Sequence, residues 1–198
     1  MHRISLTDFV DIVSASGTSK ASKIRAVKYR PPYTPARDYY KSLREHIAET
    51  HRIGESKPHL ESILPKTSRD KIPHFKSVID GYKKWWGKQS IEWNPPVSTS
   101  FSLNDIEISI NPELLLSLNN TKHVIKLYFK PDKLSKQKTA IITQLMSKAL
   151  TSQIDNDTIP SILDIRASKL LDLQKQEPLI DSMIEAETGY IATIWDSV

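Results

Sequence analysis

Residues 106–130, IEISINPELLLSLNNTKHVIKLYFK, constrain the fold more than any other part of the chain, because three strand signatures follow one another there. Residues 107–110 alternate polar and apolar, 114–118 form a short apolar run, and 124–129 are β-branched and aromatic. Asn111–Pro112 separates the first from the second, since proline donates nothing to a ladder. Asn119–Asn120 predicts a tight hairpin, asparagine tolerating positive φ better than other residues with a Cβ. Alternation in the last strand puts Ile125, Leu127 and Phe129 on one face and Val124, Lys126, Tyr128 and Lys130 on the other. The first face is expected to be core and the second a basic, aromatic ribbon.

Helices are predicted on both sides of this stretch. Ser5 or Thr7 caps a first helix with Leu6, Phe9, Val10 and Val13 inward, ended by Gly17. Residues 19–29 read as a basic helix or arm carrying Lys23, Arg25, Lys28 and Arg30, stopped by Pro31–Pro32. Thr34–Pro35 signals the start of a helix running to Gly54. A short helix over 57–64 and a strongly amphipathic one from Ile72–Pro73 to Gly87 follow, the latter with Phe75, Val78, Ile79, Tyr82 and Trp86 on one stripe. Its Lys83 and Lys84 beside Trp85 and Trp86 form a mixture that can pair phosphates and stack bases. Residues 93–100 read as a connector. Beyond the strands, Ser135 caps a helix whose start is crowded by Lys133, Lys136 and Lys138, an unfavourable placement against the helix dipole that an anion would relieve. Residues 159–165 form a fourth strand, 169–173 a fifth, and 178–195 a last helix with Leu179, Met183, Ile184, Tyr190, Ile191 and Ile194 inward.

The pattern predicts an α+β fold in one domain over residues 1–198. A helical, basic part spans 1–90, and a core of 100–198 holds a central mixed sheet of four to five strands (106–173) covered by helices and ends in the C-terminal helix. Hydrophobic residues make up 38% of the chain and no apolar run approaches a membrane span, so no membrane partner is expected. The absence of cysteine removes disulfides and thiolate metal sites and fits a cytoplasmic location. The net charge of +5 divides into +8 for residues 1–100 (18 Lys and Arg, 10 Asp and Glu) and −3 for 101–198 (10 and 13). That asymmetry points to a polyanionic partner for the first half. The six histidines show no ligand spacing, and there is no Walker loop, glycine-rich dinucleotide turn or Gly-x-Ser-x-Gly elbow.

The order helix, three strands, helix, strand, with Glu113 opening one strand and Lys126 on the next, resembles the PD-(D/E)XK, or restriction-endonuclease-like, superfamily over roughly residues 72–166. Active members of that superfamily are metal-dependent nucleases, so the resemblance implies Glu113 and Lys126 as catalytic candidates and Glu113 with Glu107 as Mg²⁺ ligands; Asp105 is a further candidate ligand. The sequence departs from the pattern where the second acid is required, since Val124 stands two positions before Lys126. Mg²⁺ prefers several hard oxygen ligands, so this departure argues against catalysis.

The expected function is therefore that of a non-catalytic or degenerate nuclease-like protein that binds nucleic acid. The expected contact residues are Lys23, Arg25, Lys28, Arg30, Lys83, Lys84, Lys126, Tyr128, Lys130, Lys133 and Lys136. One alternative is a protein-interaction or homo-oligomeric assembly protein. A further alternative is a Mg²⁺-dependent nuclease, the only reading that calls for a cofactor.

Overall fold

The computed structural model describes residues 1–34, 38–132, 134–173 and 176–198. A strand missing from the sequence-based expectation, His2–Ser5 (β1), leads into the helix Leu6–Val13 (α1). Ser5 caps α1 as expected, its hydroxyl accepting from the Asp8 N–H at 3.0 Å. Gly17 does not end that helix; at φ +52° it opens the next one, Gly17–Lys28 (α2). The helix Lys41–Arg52 (α3) starts later than the Thr34–Pro35 signal, and Pro35 lies outside the described residues. A 3-10 helix, Lys57–Lys66, precedes Ile72–Trp86 (α4), which stops at Gly87 with φ +51°.

The strands Ile91–Asn94 (β2), Thr99–Leu103 (β3), Ile106–Ile110 (β4), Leu114–Leu118 (β5) and Thr121–Tyr128 (β6) follow. Then come the helix Lys136–Leu150 (α5), the strands Ile159–Asp164 (β7) and Lys169–Asp172 (β8), and the helix Pro178–Trp195 (α6). The fold is α+β, with a central five-stranded mixed sheet ordered β2-β5-β6-β7-β8 and covered by helices. β5 and β6 are antiparallel through the Asn119–Asn120 turn, both asparagines at positive φ, and α5 crosses over to bring β7 parallel to β6.

β4 does not join that sheet. It pairs parallel with β1 and antiparallel with β3, across a second turn of two positive-φ residues, Asn104–Asp105, and so forms a separate three-stranded sheet. Its place beside β5 is taken by β2, from the stretch expected to be a connector. The Asn111–Pro112 break sends consecutive strands into different layers.

Both faces of the central sheet are buried. On one side Val124, Tyr128 and Ile162 pack with α1, α5, α6 and the small sheet; on the other Leu116, Ile125, Leu127 and Leu163 pack beneath α3, the 3-10 helix and α4. The expected solvent-facing ribbon of Val124, Lys126 and Tyr128 is thus enclosed, because the α5 crossover and α1 lie over it. A strand covered on both sides is expected to read as a nearly continuous apolar run, but β6 carries Lys122, His123 and Lys126 and β7 carries Ser161 and Asp164, so the sequence understates their burial. α6 is also rotated from its expected phase: Ile180, Ile184, Thr188, Ile191 and Trp195 face inward, while Leu179 and Tyr190 are exposed. No helix among the described residues is long and apolar enough to cross a membrane.

α4 meets the sheet most closely at Gly81, where an added Cβ would stand 2.2 Å from the carbonyl oxygen of Ile165. The obstacle is backbone, so no rotamer change relieves it. Gly81→Ala is expected to lower stability by about 2–3 kcal/mol, as overpacking does. Urea unfolding measures it, and a loss below about 1 kcal/mol would mean that α4 slides easily on the sheet.

Candidate functional site

The residues carrying the nuclease resemblance do come together. Glu113 precedes β5, its N–H donating to Ile125 O at 3.1 Å, and this pairing aims its side chain at β6. One carboxylate oxygen accepts from Lys126 Nζ at 2.5 Å and the other from the Leu127 N–H at 2.8 Å. Lys126 Nζ also donates to Asn111 O at 3.0 Å. Arg44, held on α3 by Asp38 at 2.6 Å, places its Nε 4.0 Å from the same Glu113 oxygen that Lys126 holds. The side chains of Glu113 and Lys126 are only 10% and 17% exposed.

This arrangement does not fit Mg²⁺. Both oxygens of Glu113 already accept hydrogen bonds, and cations stand where a second carboxylate would be needed. Glu107 sits on β4 in the other sheet, 3.8 Å from Arg3, and Asp105 occupies the β3–β4 turn. Among the described residues, no three His, Cys, Asp or Glu side chains are grouped to hold a metal ion. Glu113 and Lys126 form a structural ion pair tying β5, β6 and the Asn111 turn together.

The other lysines of the sheet face are also engaged internally. Tyr128 is buried and its hydroxyl donates to Asp132 at 2.8 Å; burial, and then the Asp132 carboxylate, push its pKa up. Lys130 pairs with Asp11 on α1, and Lys138 with Asp132 at 3.1 Å. Tyr128 presents no ring for base stacking.

In the N-terminal half, Arg30 makes a two-pronged pair with Asp8 at 3.0 and 2.7 Å. Burial alone would raise the Asp8 pKa, but the bonds from Arg30 and Ser5 outweigh it and hold the carboxyl low. Lys28 donates to the carbonyls of Trp195 and Val198 at 2.7 and 3.0 Å, pinning α2 to the end of α6. Lys83 pairs with Glu61 at 2.6 Å. Lys23, Arg25, Lys84 and Lys136 are exposed and form no salt bridge among the described residues; Lys133 lies outside them. Trp85 is core, and the Trp86 ring centroid is 4.4 Å from that of His51, so the pair serves packing rather than stacking with a ligand.

The positive charge is concentrated in a segment of which the sequence reading singled out only Lys83 and Lys84. Residues 57–88 hold eight Lys and Arg against three Asp and Glu, a balance of +5. The remaining 166 residues hold twenty of each and sum to zero, so the 3-10 helix, α4 and their flanks carry the whole net charge of the chain. Lys66, Arg69, Lys76, Lys84 and Lys88 are exposed there without a salt bridge among the described residues. Counting charge by structural element rather than by half would have found them.

A second buried polar group crosses β6, β7 and β8. His123 Nδ1 lies 2.8 Å from Ser161 Oγ, which donates to Asp172 at 2.8 Å. The residue types are those of a hydrolase triad, but here serine is the middle member and is fully buried. A serine that cannot be reached by substrate is no nucleophile. The trio is a cross-strand clamp, in which His123, its Nδ1 3.6 Å from Asp172 Oδ1, and then the bond from Ser161 lower the Asp172 pKa. No protein-family model matches the chain, and a search of curated proteins found no match.

Proposed function

We propose that the protein binds the phosphate backbone of nucleic acid through the cationic surface of residues 57–88, and that it does so without cutting. The concentration of the entire net charge in this one helical segment carries the reading. Clustered Lys and Arg gain free energy by displacing condensed counterions, and a net charge spread evenly over the surface would offer no such strip. Lys76 and Lys84 are exposed on α4, and Lys88 is exposed just beyond the Gly87 stop, so the three lie along and past the end of one helix. The engagement of Glu113 and Lys126 with each other supports binding rather than metal-dependent cleavage. With Trp85 buried and Trp86 packed against His51, phosphate contact is favoured over base stacking, and hence weak sequence preference.

Fluorescence anisotropy with a labelled DNA duplex at graded salt tests this. Five contacting cations predict a slope of log K against log salt of about −4. Replacing Lys76, Lys84 and Lys88 together by Glu is expected to weaken binding at least about tenfold and flatten the slope. Undetectable binding at low salt, affinity that ignores salt, or an unaffected triple variant would each refute the assignment.

A further inference from the structure

Among the described residues β8 is an edge strand with a single neighbour, β7. The Leu173 N–H donates to Pro160 O at 3.0 Å, which fixes the alternation along the strand: residues 169, 171 and 173 bond inward, and the backbone groups of Leu170 and Asp172 point away from the sheet. Beside this edge runs the first half of α5, leaving a groove of about 1120 Å³. Its walls include Leu171 and Leu173 from the strand side and Thr139, Ala140 and Thr143 from the helix. These helix side chains are small, which leaves open volume beside the strand.

The groove is also polarised. Lys136 on α5 and Lys169 on β8 stand at one end, both exposed, with the buried Asp164 opposite Lys169 on β7; the exposed Glu177 stands at the other, and Asp172 between them is held by Ser161. An outward-pointing row of backbone donors and acceptors, an apolar floor and opposite charges at the two ends match an extended peptide better than a compact ligand.

We propose that the groove between β8 and α5 binds an extended peptide of another protein as an added strand. The peptide runs antiparallel to β8, with a basic side chain at its N-terminal end beside Glu177 and an acidic one at its C-terminal end between Lys136 and Lys169. Residues between them alternate, every second one an apolar side chain of moderate size over Ala140 and Leu171. This surface is separate from residues 57–88 and makes no use of the nucleic-acid assignment.

The test uses the full chain and a defined probe: a fluorescein-labelled, end-capped heptapeptide of alternating valine and threonine, with lysine first and glutamate last. Saturable binding is expected by anisotropy. N-methylation of one alternate set of its amides should weaken binding at least tenfold, and methylation of the other set by less than threefold, because only one set faces β8. Replacing Lys136 and Lys169 by Glu should weaken the probe at least tenfold, and a peptide with its two charges exchanged should then bind that variant better than the original does. Failure to bind at millimolar peptide, equal sensitivity to both methylation patterns, or indifference to the charge exchange would overturn the proposal. So would light scattering that finds a dimer dissociated by mutation of β8, since a second copy would then own the edge.

Discussion

Glu113→Ala is expected to lower the stability of the protein by about 3–5 kcal/mol, the range seen when one partner of a buried ion pair is removed. Two losses combine. Lys126, with its side chain 17% exposed, keeps its charge in a site that α1, α5 and the sheet enclose, with only the Asn111 carbonyl left to receive it at 3.0 Å. The Leu127 N–H, which donates to Glu113 at 2.8 Å, loses its acceptor, and an unsatisfied buried amide costs about 1–3 kcal/mol. Glu113→Gln separates the two, keeping an acceptor for the amide while removing the charge, and should fall between wild type and Glu113→Ala. Replacing Glu113 and Lys126 together by leucine should recover much of the loss, since an apolar pair of similar volume needs no desolvation of charge. Urea unfolding of the four proteins gives the result directly. A single-mutant loss below about 1 kcal/mol would show that water reaches the pair and that Glu113 is available for other chemistry.

Stability should also fall by about 3 kcal/mol as pH drops from 6.5 to 4, through one histidine. His51 is 7% exposed, and burial depresses its pKa from 6.5 to about 4. It stays neutral in the fold, held at 2.7 Å by the Tyr82 hydroxyl and against the Trp86 ring. The unfolded chain takes up a proton at this residue below pH 6.5 and the folded chain does not until about pH 4. The contribution is therefore complete above pH 6.5, declines through that window, and is constant below it. Asp8 and Asp172, whose folded values lie below 3.8, withdraw their support only at lower pH, as they are protonated in the native state. His51→Gln keeps a hydrogen-bond partner for Tyr82 and cannot titrate, so its stability should be level between pH 6.5 and 4.5 where the wild type declines. An unchanged slope in that variant would assign the titration to another group.

Much of the fold could be read from local pattern. The strands 114–118 and 121–128, the Asn119–Asn120 hairpin, the Ser5 and Ser135 caps and the stop of α4 at Gly87 are each specified by residues within a few positions of one another. The candidate site was legible only as a pairing. Glu113 and Lys126 were recognisable as partners on adjacent strands, because hairpin register follows from the turn. What they pair for was not legible, since that depends on the Leu127 amide, the Asn111 carbonyl and Arg44 arriving from a helix remote in sequence.

Periodicity says which residues share a face, but the cover laid over that face comes from elements far along the chain. Lys126, Tyr128 and Lys130 alternate like a solvent-facing ribbon, yet α1 and α5 close over them, Glu113 and Asp11 pair with the two lysines and Asp132 accepts from the tyrosine hydroxyl. The run 106–130 likewise reads as one meander, while β4 leaves for the small sheet and β2 takes the vacant edge. The sequence by itself determined the longer helices, the strands on either side of Asn119–Asn120 and the uneven charge, all short-range or additive properties, but not β1, β2 or β3, whose pairing partners lie far along the chain. Only the tertiary structure decided which lysines are spent on internal carboxylates and which on residues 57–88 remain exposed without a salt bridge, because ion pairing depends on distance in space and not along the chain.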